Sequence, residues 1–275
     1  MASQQGNMPF IKNLASSDRK IRTSALASLQ SFLSARQVAS ALGPLDVLKL
    51  WKGLFFAMWM CDRAIPQQNL CAELADLIFI LPRDAVVPWL RGFWTTMSRE
   101  WTGIDVLRME KFLLLVRRTV GAGFRWMKEG SKKGKSTWDT GRVSDILSLL
   151  SEFPFTLDVD ARQEKRPEGE EGELTPHAVP VGLKLHVLDI WVDEAEKVGL
   201  LDEGDDEASK ILQQISDLVD NLEKSTSSPA LRNRSKESLA DDRLPGNKSR
   251  PTAMEDAEMA DAEQKDSGSW DGFDD

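Results

Sequence analysis

Residues 45–60 read LDVLKLWKGLFFAMWM, with Gly43 and Pro44 directly before them. After Lys52 the apolar residues cover nearly every side of a helical wheel, which predicts a helix buried between neighbours on more than one side. The most apolar part, Leu50–Cys61, keeps Lys52 and falls short of the ~20 apolar residues that a membrane span needs, so no membrane crossing is expected. Glycine suits a helix end and proline a first helical turn, so Gly43-Pro44 closes one unit and opens this one.

Outward from this central helix the same period recurs. Upstream, Ser17-Asp18 can cap a helix that places Ile21, Ala25, Leu29 and Phe32 on one face. Downstream, a helix from Pro66 turns Leu70, Leu74, Leu77, Ile78 and Leu81 inward until Pro82, and further helices are expected over about 84–101 and 103–127. Short Pro/Gly joints and almost no alternating strand pattern predict an all-α chain. Its hairpins form an irregular helical-repeat stack or, as the competing architecture, a compact bundle. Trp51, Trp59, Trp89, Trp94, Trp101, Trp126 and Trp191 sit among apolar residues at helical spacing and belong to that packing.

Composition divides the chain further. A helical domain is expected over 8–157, ending in a short helix near 143–150, followed by an acidic flexible linker over 158–180. Over 181–224, Leu185, Leu188, Trp191 and Val192, then Ile211, Ile215, Leu218 and Leu222, form two stripes that are expected to dock back on the domain. Residues 225–275 are rich in Ser, Asp, Glu, Lys and Pro and are expected to be a disordered acidic tail.

The 275 residues carry 35 basic and 44 acidic side chains, a net charge of -9. That average hides two opposite objects: residues 1–150 carry a net +9 and residues 151–275 a net -18. Such asymmetry predicts a front that faces a polyanion or an acidic partner, joined to an acidic tail; a solvated helical domain is the plainer reading. Cys61 and Cys71 have no CxxC spacing and read as reduced, packed thiols of an intracellular protein.

Enzyme signatures are scarce. His177 and His186 are the only histidines, too few for a His-rich metal site or a Ser/His/Asp triad, so no catalytic residue, metal or cofactor is assigned. GSKKGKST (130–137) imitates a phosphate-binding loop, but only three residues separate Gly130 and Gly134 and the segment follows a helix where that loop needs a strand. Gly121-Ala122-Gly123 lacks the third glycine of a dinucleotide fingerprint.

The informative surface is basic. Arg108, Lys111, Arg117, Arg118, Arg125, Lys128, Lys132, Lys133 and Lys135 give residues 108–135 a local net of +7. On a helical wheel, Lys111, Arg118 and Arg125 fall opposite an apolar face that runs from Val106 to Met127. Such a row can neutralise phosphates, or it can be a solvated helix face. Trp138, within the basic loop, could stack on a base or a partner, and Trp270 and Phe273 in SWDGFDD could serve as a docking peptide.

In motif order the chain resembles the ribosomal RNA-processing protein 1 family of eukaryotic nucleolar factors. The likeness rests on FIKNLASSDRKIRTSALASLQSFL (10–33), LDVLKLWKGLFFAMWMCDRAIPQQNLCAELADLI (45–78), WTGIDVLRMEKFLLLVRRTV (101–120) and GLKLHVLDIWVDE (182–194). It implies a HEAT-like stack of the nucleus and nucleolus that joins pre-60S particles and supports rRNA processing. It further implies contacts with other assembly factors and with pre-rRNA, without catalytic residues, cofactors or a small-molecule substrate. The basic row is a reading of this chain's own residues. The alternative function is a helical-repeat adaptor or chaperone that holds basic client proteins through the acidic tail.

Overall fold

Asp18 accepts a hydrogen bond from the Lys20 backbone amide at 2.7 Å, satisfying one of the donors that every helix start leaves open. The computed structural model describes residues 10–132, 135–157 and 178–247. The helices are α1 (Phe10–Leu14), α2 (Arg19–Ser34), α3 (Arg36–Ala39), α4 (Pro44–Trp59), α5 (Ala64–Asp76), α6 (Arg83–Glu100) and α7 (Val106–Trp126). After a hairpin of β1 (Lys128–Lys132) and β2 (Lys135–Trp138) come α8 (Thr140–Glu152), α9 (Val181–Lys197), α10 (Asp206–Ser225) and α11 (Pro229–Leu239).

The fold is all-α, and its helices pack mainly on every second neighbour. One row runs α4, α6, α8, α10; the other runs α5, α7, α9, α11. Two rows packed in this way form a helical-repeat stack with one continuous core. The central helix is buried as its composition demands, with Val47, Leu50, Trp51, Leu54, Phe55 and Met58 all shielded from solvent. Trp51 packs on Trp89 and Phe93 of α6 at 5.0 Å between ring centroids, and its indole N–H donates to the Trp89 carbonyl at 2.8 Å. Phe55 stacks on Phe112 of α7 at 4.6 Å, so α4 touches both rows. At Gly92 a Cβ would stand 2.5 Å from a Val47 methyl; glycine there lets α6 close on α4.

Several expectations need correction. In α2 the buried face is Ala25, Leu26, Leu29 and Leu33, while Ile21 is 43% exposed, because α2 packs chiefly on α1. The basic loop after α7 is an antiparallel hairpin, anchored by Arg142, whose guanidinium donates to the Lys128 carbonyl at 3.1 Å. Gly121 and Gly123 do not break α7, which runs unbroken through both. The ordered chain does not stop near 224: α11 follows, buries Leu231 on the core, and Leu244 beyond it is buried too. Residues 158–177 of the expected 158–180 linker, His177 among them, and residues 248–275 with Trp270 and Phe273 lie outside the described residues.

Candidate nucleic-acid interface

Asp105 caps α7 by accepting from the Arg108 amide at 3.1 Å, and α7 then carries Arg108, Lys111, Arg117, Arg118 and Arg125 of the predicted row, the lysines of the row following in the hairpin segment. What each cation meets there decides what it can do.

Lys111 leaves the row. Its side chain is 3% exposed, and its ammonium donates to the Trp59 carbonyl at 2.7 Å and the Cys61 carbonyl at 2.9 Å. These carbonyls belong to the open end of α4, where a cation both satisfies acceptors and meets the negative pole of the helix. Burial lowers the Lys111 pKa, with Asp62 at 3.7 Å opposing that shift. A wheel drawn for α7 alone places Lys111 on the polar face because it cannot see the end of α4 arriving there.

Arg117 is claimed by the acidic half of the chain. Its guanidinium donates to Glu194 Oε1 and to Asp193 Oδ2 of α9, each at 2.7 Å. Burial opposes the Arg117 charge, but these bonds outweigh it and hold the pKa above its ordinary value. Arg108 pairs with Asp105 and lies 4.8 Å above the Trp59 ring. Lys128 rests 4.7 Å over the Trp138 ring. Trp138 itself is buried and donates to Asp205 at 2.9 Å, so it is a packed residue and not a free platform for a base.

Arg118 and Arg125 remain at the surface. Arg118 is exposed and makes no ion pair with the described residues. Arg125 pairs with Asp76 at 2.6 Å, both side chains about half exposed, and lies over Phe79. Exposed pairs of this kind contribute only ~0–1 kcal/mol, so a phosphate can displace Asp76 at little cost. Lys197 of α9 joins them along a groove between α5, α7 and α9, with Glu194 as its partner at 2.6 Å. Sequence reading missed Lys197 because it lies in the acidic half, seventy-odd residues away from the basic row. The side chains of Lys132, Lys133 and Lys135 lie outside the described residues.

A second set of polar contacts ties α9 in place. Lys184 is buried and donates to the Thr156 carbonyl at 2.8 Å, joining the start of α9 to the chain after α8. His186 Nε2 meets the Leu113 carbonyl at 2.9 Å, and burial lowers its pKa, so the ring is a neutral packed bridge rather than a base. Both cysteines are free, and burial pushes the Cys71 thiol up to about 12. Among the described residues no group of three His, Cys, Asp or Glu side chains could hold a metal, and no helix is long and apolar enough to cross a membrane.

A two-row helical stack with a partly neutralised basic ridge defines an all-α protein of the helical-repeat class. The family model described as "Nucleolar protein, Nop52" matches residues 5–272, and the chain belongs to that family. It is accordingly a nuclear, nucleolar protein. Among its relatives, "Ribosomal RNA processing protein 1 homolog B" of Homo sapiens is 30% identical over 201 residues, covering 72% of this chain and 23% of the relative. "Ribosomal RNA processing protein 1 homolog A" of Mus musculus is 32% identical over 191 residues, 68% of this chain and 34% of the relative. A Caenorhabditis elegans homolog is 34% identical over 191 residues, 69% of this chain and 42% of the relative. The chain thus spans less than half the length of these relatives.

Proposed function

We propose that the chain is a non-catalytic scaffold in ribosome biogenesis that acts in rRNA processing on the pre-60S particle, where its helical rows engage other assembly factors. Membership of the nucleolar family and the names of the rRNA-processing relatives support this role. In this reading Arg118 and Arg125, with Lys197 beside them, meet pre-rRNA phosphates. The observation that carries it is Arg118, a guanidinium left exposed and without a carboxylate partner among the described residues, where its row neighbours Lys111 and Arg117 are consumed by the fold. Phosphate contacts of this kind position a protein on RNA and give salt-dependent affinity.

The test is co-sedimentation of an Arg118→Glu, Arg125→Glu chain with pre-60S particles at two salt concentrations. Reduced association and a shallower salt dependence are expected, with helix content unchanged. Association equal to that of the parent chain at both concentrations rejects the phosphate contact.

A further inference from the structure

Past its first turn, the exposed residues of α4 are Lys49, Lys52 and Phe56, the last at 37%. At about 100° per residue they fall within about 60° of one another, on a single outward face. Between α4 and α6 the two lysines open on a cavity of about 100 Å³, lined further by Leu48, Thr96, Arg99 and Glu100. Three cations thus stand against one carboxylate in that lining. Asp46, three residues before Lys49, is turned back to the start of α4, where it accepts from the Gly43 amide at 3.3 Å. Among the described residues neither Lys49 nor Lys52 forms an ion pair, so the fold does not neutralise them.

Thr96 points to a ligand independently. It is only 5% exposed and lines the cavity, yet its hydroxyl makes no hydrogen bond among the described residues. Thr119 of α7, by contrast, returns its hydroxyl to the Leu115 carbonyl at 2.9 Å. Hydroxyls this deeply placed ordinarily have a partner, and beside two ammoniums the natural one is an anion's oxygen. Phe56 follows Lys52 by about 6 Å along the helix axis, with its ring nearly perpendicular to that of Phe55 at 5.6 Å between centroids. Cations next to an exposed ring suit single-stranded nucleic acid, whose backbone follows the charges while an unpaired base stacks on the aromatic face. A phosphorylated peptide accounts for the lysines and Thr96 but leaves Phe56 without a role.

We propose that the α4–α6 face binds single-stranded RNA, with one phosphate at Lys49, Lys52 and Thr96 and the adjoining base on the Phe56 ring. The inference rests on the reading that the chain acts on pre-rRNA, and it adds a contact on the row to which α7 does not belong.

The experiment measures binding of a short fluorescein-labelled oligouridine to the full chain by anisotropy over a series of salt concentrations, with circular dichroism showing that each variant is folded. Lys49→Gln, Lys52→Gln should weaken binding and make the salt slope shallower by about 0.7, one single-strand phosphate contact. Phe56→Ala should weaken it at least about fivefold with the slope unchanged, and Phe56→Trp should restore it. Parental affinity in either the lysine pair or the Phe56→Ala chain overturns the proposal. So does tighter binding of a phosphoserine peptide that depends on the lysines and not on Phe56, which would assign the face to a phosphoprotein. The Arg118→Glu, Arg125→Glu chain separates this face from the α7 ridge. Binding lost in that chain but unchanged in the α4 variants keeps the ridge and rejects this face. The reverse pattern supports this face and rejects the ridge contact, and no binding by the parent chain rejects both.

Discussion

Arg117 of α7 donates to Glu194 of α9 at 2.7 Å, which ties the positively charged half of the chain to the negatively charged half. The same carboxylate accepts from Lys197, and its neighbour Asp193 lies between Arg117 and Arg243. Charge segregation that looks in the sequence like a pair of surfaces for outside partners is therefore partly an internal adhesive. What is left for a partner is a smaller cationic set around Arg118.

Removing Arg117 should cost stability first. Glu194 is 7% exposed and would lose its principal counter-charge, while Arg117 is itself one-third exposed, so Arg117→Gln is expected to destabilise by about 1–3 kcal/mol. Urea unfolding followed by circular dichroism measures this. A midpoint equal to that of the parent chain contradicts the anchoring role.

Lys111 is the position where charge reversal misleads. Lys111→Met removes two hydrogen bonds to the Trp59 and Cys61 carbonyls at the end of α4 and should cost about 2–3 kcal/mol, and Lys111→Glu more. Both are expected to lower the thermal midpoint, and any lost particle association would then report unfolding rather than a missing phosphate contact.

Acid should loosen the C-terminal segment. Hydrogen bonds from Arg243 and then Arg117 hold Asp193 below the ordinary carboxylate range, and Arg243 does the same to Asp241. A pKa lower in the folded than in the unfolded chain stabilises above the unfolded value, and that stability is lost as pH falls through the folded one. Stability should therefore drop below about pH 4, with a smaller drop in Arg243→Gln, as seen in denaturant midpoints at a series of pH values. An identical pH dependence in the two chains contradicts the assignment.

Gly121 of α7 lies against the Glu194 side chain of α9. A Cβ there would stand 2.5 Å from Glu194 Oε2, so Gly121→Ala should destabilise by roughly 1–3 kcal/mol despite alanine's better helix propensity. Combining it with Glu194→Ala should give a non-additive double-mutant cycle; strict additivity contradicts the contact.

Much of the fold is legible in the sequence because its signals are local. The run of apolar residues in 45–60 dictates a buried α4, and the spacing of Trp51, Trp89 and Trp191 places them in the core, where each is at most 2% exposed. The misses are positions decided by distant partners. PALRNRSKESL reads as polar, yet Leu231 is buried and Ser238 accepts from the Trp191 indole, so α11 forms against a surface its own sequence does not announce. Lys111 and Trp138 look like surface residues until the α4 terminus and Asp205 arrive beside them. Among the described residues of the basic row, Arg118 is exposed without an ion pair and Arg125 is half exposed beside Asp76, and Lys197 enters from a helix remote in sequence.

Protein–RNA crosslinking within assembled pre-60S particles tests the phosphate contact most directly. Crosslinked peptides are expected to contain Arg118 and Arg125, with a second set around Lys197. Crosslinks confined to other parts of the chain, with none along the outward face of α7, would contradict it.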